Sequence, residues 1–247
     1  MINKQTLQSI ISKYYLGVNE SVKWEIGNNA LSIDFMTPTK DVIGSVEAFE
    51  FPIEGFHKLA IYDTKKLSNL ISICSGDLLL ELEKNQQLYT KLYISDLNFN
   101  LSYALSDPLL INKVGTVNEP DYVVEIKLEP EDIDNIIKAK SALAGVDNML
   151  LTTTYNLDKE AVVEFIFGDE SGHNNKITYQ IKGSIQEIDM KIPFNSDIFK
   201  TILQANKDMG GGTLKLSSMG LMNLTFSSKE MELNSEYYMI RKAEQDF

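Results

Sequence analysis

Residues able to do covalent or metal chemistry are scarce in this chain. Among its 247 residues are two histidines, His57 and His173, and one cysteine, Cys74. Metal centres and activated nucleophiles need several such groups converging on one point. His173 stands near Asp169 and Glu170, but 169–174 reads as a hairpin loop and brings no further ligand cluster. Cys74 falls on the apolar side of a helical pattern and reads as a buried thiol. The run Gly210-Gly211-Gly212 follows a helical pattern, whereas phosphate-binding glycines precede one. No P-loop pattern occurs. The expectation is therefore no catalytic residue, no metal and no cofactor.

Lysines are the residues whose placement does suggest a chemistry. Lys4, Lys13, Lys65, Lys66, Lys138, Lys140, Lys200 and Lys207 all lie within or beside four amphipathic segments. An ammonium on a flexible stem attracts phosphate as a point charge, and phosphate contacts carry no sequence information. The windows 3–16, 63–75, 129–143 and 195–209 hold eight lysines and seven acids, a balance of +1. The rest of the chain has 15 basic and 28 acidic groups, a balance of −13. A net charge of −12 with a single arginine, Arg241, argues against a surface that reads nucleic acid by bulk charge. It leaves open DNA that is encircled, for which the local charge of one face matters. Solvated helix faces also carry lysine, and acids favour first turns. Charge alone thus leaves a DNA-facing lining and an ordinary wet surface equally open.

Four segments must position these lysines. They run near 4–15 (Leu7, Ile10, Ile11, Tyr14, Tyr15), 64–75 (Leu67, Leu70, Ile71, Cys74), 130–143 (Ile133, Ile136, Ile137, Leu143) and 196–208 (Ile198, Phe199, Ile202, Leu203). Each has the apolar spacing of a helix. Pro130 suits a first helical position with Glu131 and Asp132 behind it, and Asn195 suits an N-cap. Gly76, Gly145 and Gly210–Gly212 stand where C-terminal caps belong. Between the helices the period changes to two, as in Val163, Phe165 and Phe167, in Ile177, Tyr179 and Ile181, and in Met222, Leu224 and Phe226. Segments 78–83 and 88–95 read as a hairpin. The helices begin near 4, 64, 130 and 196, so a helix-then-strands unit recurs four times. Two units per domain give two domains of similar size, 1–107 and 123–247, joined by a connector over 108–122. The class is α+β, two similar domains each with two helices packed on antiparallel sheets. Within the connector, Leu109, Leu110, Ile111 and Val114 either staple the linker or form one wall of a pocket for apolar tails of partner proteins.

The lone cysteine and the absence of a secretory pattern suit a reducing cytoplasm, a host's if the protein is viral. No apolar run approaches the ~18 residues of a membrane span, so no membrane partner is expected. One alternative uses the charge directly: an acidic DNA mimic that binds DNA-binding proteins without encircling DNA. An enzyme with an unrecognised site is the weakest reading, given so few histidines and cysteines.

Three stretches carry a family likeness. Lys58-Leu59-Ala60-Ile61-Tyr62-Asp63 leads into Leu67-Ser68-Asn69-Leu70-Ile71-Ser72; Glu125-Ile126-Lys127 runs into Pro130-Glu131-Asp132; and Tyr237-Tyr238-Met239-Ile240 precedes a final Asp246-Phe247. With the helix period, these resemble the DNA polymerase sliding clamps of T-even-like bacteriophages. The resemblance implies the DNA clamp fold and a head-to-tail homotrimeric ring, with helices lining the hole and sheets outside. It implies these partners: duplex DNA held without sequence preference, further copies of the chain, a replicative DNA polymerase, an ATP-dependent clamp loader and a sigma-like late-transcription factor. It turns the eight lysines into a DNA-facing pore. It adds Met36, Ile43, Tyr238 and Ile240 to the partner-peptide pocket. It also implies a subunit interface between edge strands, with Asn98, Phe99, Leu101 and Tyr103 on one side and Lys176, Ile177, Tyr179 and Ile181 on the other.

Overall fold

The structure is a computed structural model that describes residues 1–168 and 175–243. His173, with Asp169 and Glu170, and the terminal Asp246-Phe247 lie outside the described residues.

The four helices form where apolar spacing and capping agree. Helix α1 (Lys4–Tyr15) starts at Asn3, whose side chain accepts the Gln5 N–H, and buries Leu7, Ile10, Ile11 and Tyr14. Helix α2 (Thr64–Ser72) starts at Asp63, which accepts the Lys66 N–H, and buries Leu67 and Ile71. It is shorter than expected. Cys74 lies beyond its end yet remains buried. Helix α3 (Pro130–Ala142) has proline in its first turn and a reciprocal Glu129–Asp132 capping box. Helix α4 (Ser196–Ala205) is capped by Asn195, which accepts from Asp197 and Ile198. The expected continuation to 208 breaks at Asn206. Its buried amide donates back to the Ile202 carbonyl at 2.8 Å and to the Tyr237 hydroxyl at 2.9 Å. A 3-10 turn, Lys207–Met209, then leads to Gly210 at φ 75°. Gly145 caps nothing in the left-handed region; α3 closes instead through Leu143 N–H on Lys140 O.

The chain divides into two compact units. The first comprises Met1–Thr116 with Ser228–Ser235, the second Val117–Ser227 with Glu236–Phe247. The break after Thr116 lies inside the 108–122 segment; the return of 228–235 to the first unit has no signal in the sequence.

In the first unit, β1 (Ile2–Asn3), β6 (Asp77–Asn85), β7 (Leu88–Ser95) and β8 (Asn100–Ala104) form a sheet in the order β1-β6-β7-β8. Strands β2 (Val22–Gly27), β3 (Ala30–Met36), β4 (Val42–Ala48) and β5 (His57–Ile61) lie in the order β4-β3-β2-β5. Alternation buries Val22, Trp24 and Ile26 on β2 and Leu31, Ile33 and Phe35 on β3. Helix α1 lies beside α2 and against β3 and β4.

The second unit repeats the plan. Strands β9 (Val124–Leu128), β10 (Asn148–Tyr155), β11 (Ala161–Gly168), β12 (Lys176–Lys182), β13 (Ser184–Ile185), β14 (Lys191–Asn195), β15 (Gly212–Leu216) and β16 (Leu221–Ser228) run in the orders β12-β11-β10-β14 and β13-β9-β15-β16. Strand β17 (Leu233–Ile240) crosses from the first unit into the second at Ser235. Val163, Phe165 and Phe167 are buried as their alternation predicts, and so are Met222, Leu224 and Phe226. On β11 Val162 and Ile166 are buried as well, so this strand is apolar on both faces. Helix α3 packs beside α4 and against β9, β11 and β12. The result is α+β, four helices on antiparallel sheets, as the periodicity predicts.

Candidate functional site

The lysines divide once placed. Lys13 and Lys140 are 0% and 1% exposed, which corrects the expectation that they face DNA. The Lys13 ammonium donates to Ser9 Oγ at 2.7 Å. Lys140 pairs with Asp197 at 2.9 Å and donates to Ala144 O at 3.2 Å, joining the end of α3 to the start of α4. Lys4 is also diverted: its ammonium caps the end of α2 on the carbonyls of Ser72 and Cys74. Each of these stems is long enough to reach a carbonyl or partner that needs a cation, and periodicity cannot tell such a lysine from a solvated one. Lys207 is exposed and paired with Asp134 at 2.6 Å, and that ammonium holds the Asp134 carboxyl below its ordinary range. Lys65, Lys66 and Lys138 are exposed and Lys200 is half-buried. These four sit on α2, α3 and α4.

The connector wall is more coherent. In the first unit, a groove of about 480 Å³ is lined by Met36, Leu110, Ile111 and Val114, with Val18, Phe35, Pro38 and Lys40. The wall opposite the connector is fixed by hydrogen bonds. Thr37 Oγ1 donates to Asp41 at 2.6 Å and accepts the Val42 N–H at 3.0 Å, and Asn19 donates to Tyr14 O at 2.7 Å. The turn Thr37-Pro38-Thr39-Lys40 carries a visible turn signal, yet its role as a groove wall was not read from sequence.

Three expected members stand elsewhere. Ile43 pairs with Met36 across β3 and β4 but does not line the groove. Leu109 and Leu110 share the 3-10 turn Pro108–Leu110, and Leu109 turns to another hollow, with Leu88, Tyr89 and Lys58. Three residues per turn separate neighbours by about 120°, which sends the two leucines apart. Tyr238 and Ile240 belong to the second unit. There the Tyr238 hydroxyl lies 2.7 Å from Glu119 and 2.9 Å from Glu236. Burial and those two carboxylates push its pKa up.

Both strands expected at a subunit interface are sheet edges: β8 ends one sheet and β12 another. An edge strand offers unpaired N–H and C=O groups to another chain. Asn98 and Phe99 are exposed in the turn before β8, where Asp96 accepts the N–H groups of Asn98 and Phe99 at 2.7 Å and of Ser75 at 2.6 Å. Those donors hold the Asp96 carboxyl below its ordinary range. Leu101, Ile177 and Tyr179 are half-buried, Lys176 is exposed and Ile181 is buried. Tyr103 is also buried, with its hydroxyl on the backbone of Asp63 at the head of α2. Its side chain is thus unavailable to a neighbour. Tyr179 donates to Asp132 at 2.7 Å, tying β12 to the first turn of α3.

Among the described residues no group of three or more histidine, cysteine, aspartate or glutamate side chains could hold a metal ion, and no helix is long and apolar enough to cross a membrane.

No family profile and no curated protein matches the sequence. Solved structures do. Proliferating Cellular Nuclear Antigen (PCNA) from Entamoeba histolytica superposes with a TM-score of 0.76 at 14% identity, over 98% of this chain and 96% of that chain. The PCNA2–PCNA3 complex from Sulfolobus tokodaii gives 0.75 at 12% identity, over 99% and 98%. A. fulgidus PCNA bound to the C-terminal region of FEN-1 gives 0.75 at 14% identity, over 98% and 97%. At these identities the likeness is one of fold, and it runs the length of the chain.

Proposed function

We propose that this chain is one subunit of a DNA sliding clamp, a processivity factor that closes around duplex DNA as a head-to-tail homotrimer. The observation that carries the reading is the conjunction of a PCNA-type fold over 98% of the chain with an uncovered edge strand in each unit, β8 and β12. Two different edges on one chain make a heterologous contact, which closes into a ring when the rotation per subunit allows. In this reading the chain is no enzyme. Its hold on DNA comes from closure, and Lys65, Lys66, Lys138 and Lys200 supply weak, replaceable phosphate contacts.

The groove of Met36, Leu110, Ile111 and Val114 takes the apolar tail of a client protein. One similar structure, A. fulgidus PCNA, is bound to the C-terminal region of FEN-1. The finer reading has a replicative polymerase, an ATP-dependent loader and a sigma-like late-transcription factor as partners in a T-even-like phage. It rests on the sequence stretches alone.

Light scattering on the purified protein tests the assembly. The expected mass is near three times 27.9 kDa. A monomer at micromolar concentration would overturn the ring and favour the acidic mimic, which needs only the −12 charge. With loader and ATP, longer polymerase products are the expected functional readout.

A further inference from the structure

The groove walled by 110–114 carries charge as well as apolar surface. All of its lining lies in the first unit. Leu110 and Val18 are 67% and 44% exposed there, so an apolar occupant gains by covering them. Four charged side chains share the lining: Glu20, Asp34, Lys40 and Lys113. They differ in what they already hold. Glu20 accepts from the Tyr15 hydroxyl and from the Lys65 N–H, both at 3.1 Å. Lys40 and Lys113 are exposed, and among the described residues neither ammonium has a hydrogen bond or an ion pair. Asp41, next to Lys40 in the chain, accepts instead from the hydroxyls of Thr37 and Thr39 at 2.6 and 2.5 Å. Asp34 also has no partner among the described residues. Burial and the nearby Glu25 push its carboxyl up. Asp34 shares a face of β3 with Met36, two residues on, whereas Lys40 lies past Met36 in the turn. The strand side of Met36 is therefore acidic and the turn side basic.

We propose that the groove selects tails that carry an acidic side chain beside their apolar anchor, with that carboxylate held between Lys40 of the turn and Lys113 of the connector. The proposal rests on reading the groove as a client site and names the chemistry of the client. The acid is a side chain rather than a chain end. A terminal carboxylate is captured by a nest of backbone N–H groups. Here the N–H groups of Thr37, Lys40 and Val42 already have acceptors, and no residue of 108–116 has the left-handed backbone of such a nest. Two ammoniums on flexible stems take Asp or Glu without a fixed geometry. The chain's −12 charge does not cancel this attraction, because charges beyond about 8 Å are largely screened at ~0.15 M salt.

Fluorescence polarisation on the full chain at that salt tests the proposal. Three ten-residue probes, fluorescein-labelled and C-terminally amidated, carry Leu-Phe-Leu flanked on both sides by Asp, by Asn or by Lys. Flanking both sides lets either chain direction present an acid to the lysines. The Asp probe should bind about threefold to tenfold tighter than the Asn probe, as for two exposed ion pairs. Lys40→Glu and Lys113→Glu should each bring that ratio to about one. Lys84→Glu, the same charge change outside the groove lining, should keep it. Equal affinity for all three probes, or tightest binding of the Lys probe, overturns the acid preference and leaves the groove a client site. An unchanged ratio in both groove variants overturns the role of the lysines. An Asn probe with a free C-terminus that matches the Asp probe assigns the site to chain ends and overturns the side-chain reading. If no probe binds, the groove reading itself fails and this inference falls with it.

Discussion

Lys140 shows how much a single residue's surroundings change its meaning. By spacing it belongs with Lys138, two positions away on the same helix, yet one is buried against Asp197 and the other is wet. A buried ammonium that loses its place leaves a hole and a partner to rehydrate. Asp197 is mostly exposed, so the carboxylate rehydrates easily and the hole dominates. Lys140→Ala should therefore lower stability by about 2–4 kcal/mol, and Lys140→Met by less than ~1.5 kcal/mol, measured by urea unfolding. Lys140→Met should leave retention on DNA unchanged, whereas Lys138→Glu with Lys200→Glu should weaken it while the trimer persists. Loss of retention in Lys140→Met at normal assembly would restore Lys140 to the DNA-facing set.

At the scale of elements, what the sequence made legible was whatever a local rule governs. All four helices, the 78–95 hairpin and the Pro130 and Asn195 starts follow from periodicity and capping. What failed involved long-range partners: the α4 break at Asn206 depends on Tyr237, 31 residues on, and the diverted Lys4 depends on carbonyls 68 and 70 residues away. The same holds for the site. Leu110, Ile111 and Val114 are conspicuous as apolar residues in a loop, and they line one groove, while Leu109 lines another hollow because facing follows from a turn type that sequence does not reveal. The turn before β8 was likewise missed, although Asp96 organises it. Its carboxyl lies below the ordinary range when folded. A depressed folded pKa contributes stability above the unfolded value of about 3.9, and that contribution is lost as pH falls through the folded value. The melting-temperature gap between wild type and Asp96→Ala should thus be full at pH 7 and begin to shrink only below about pH 4, as pH falls toward the folded value. The variant should also trimerise less well at neutral pH, since Asn98 and Phe99 lose their anchor at the β8 edge. An equal gap at pH 3 and pH 7 would contradict this role for the carboxylate.

At the scale of the molecule, the charge balance bears directly on how the proposed clamp would hold DNA. A protein that grips DNA by surface charge releases counterions, and its affinity drops ~10³–10⁵-fold between 50 and 200 mM salt. This chain is ill suited to that mode: it carries −12 overall, and the acid surplus lies outside the helical windows. Burial removes Lys13 and Lys140 from any wet surface, which leaves still fewer cations to neutralise phosphate. If closure does the holding, few counterions are displaced and salt should matter little, because escape then requires a ring to open or a DNA end to arrive. Once loaded on nicked circular DNA, the protein should keep its half-life within about tenfold across that salt range. Cutting the circle should release it within the time needed to slide to an end, and blocking both ends with bound protein should restore retention. Equal lifetimes on circular and open linear DNA, or a decay that follows the steep salt law, would mean that charge and not closure does the holding, and the ring would lose its physical basis.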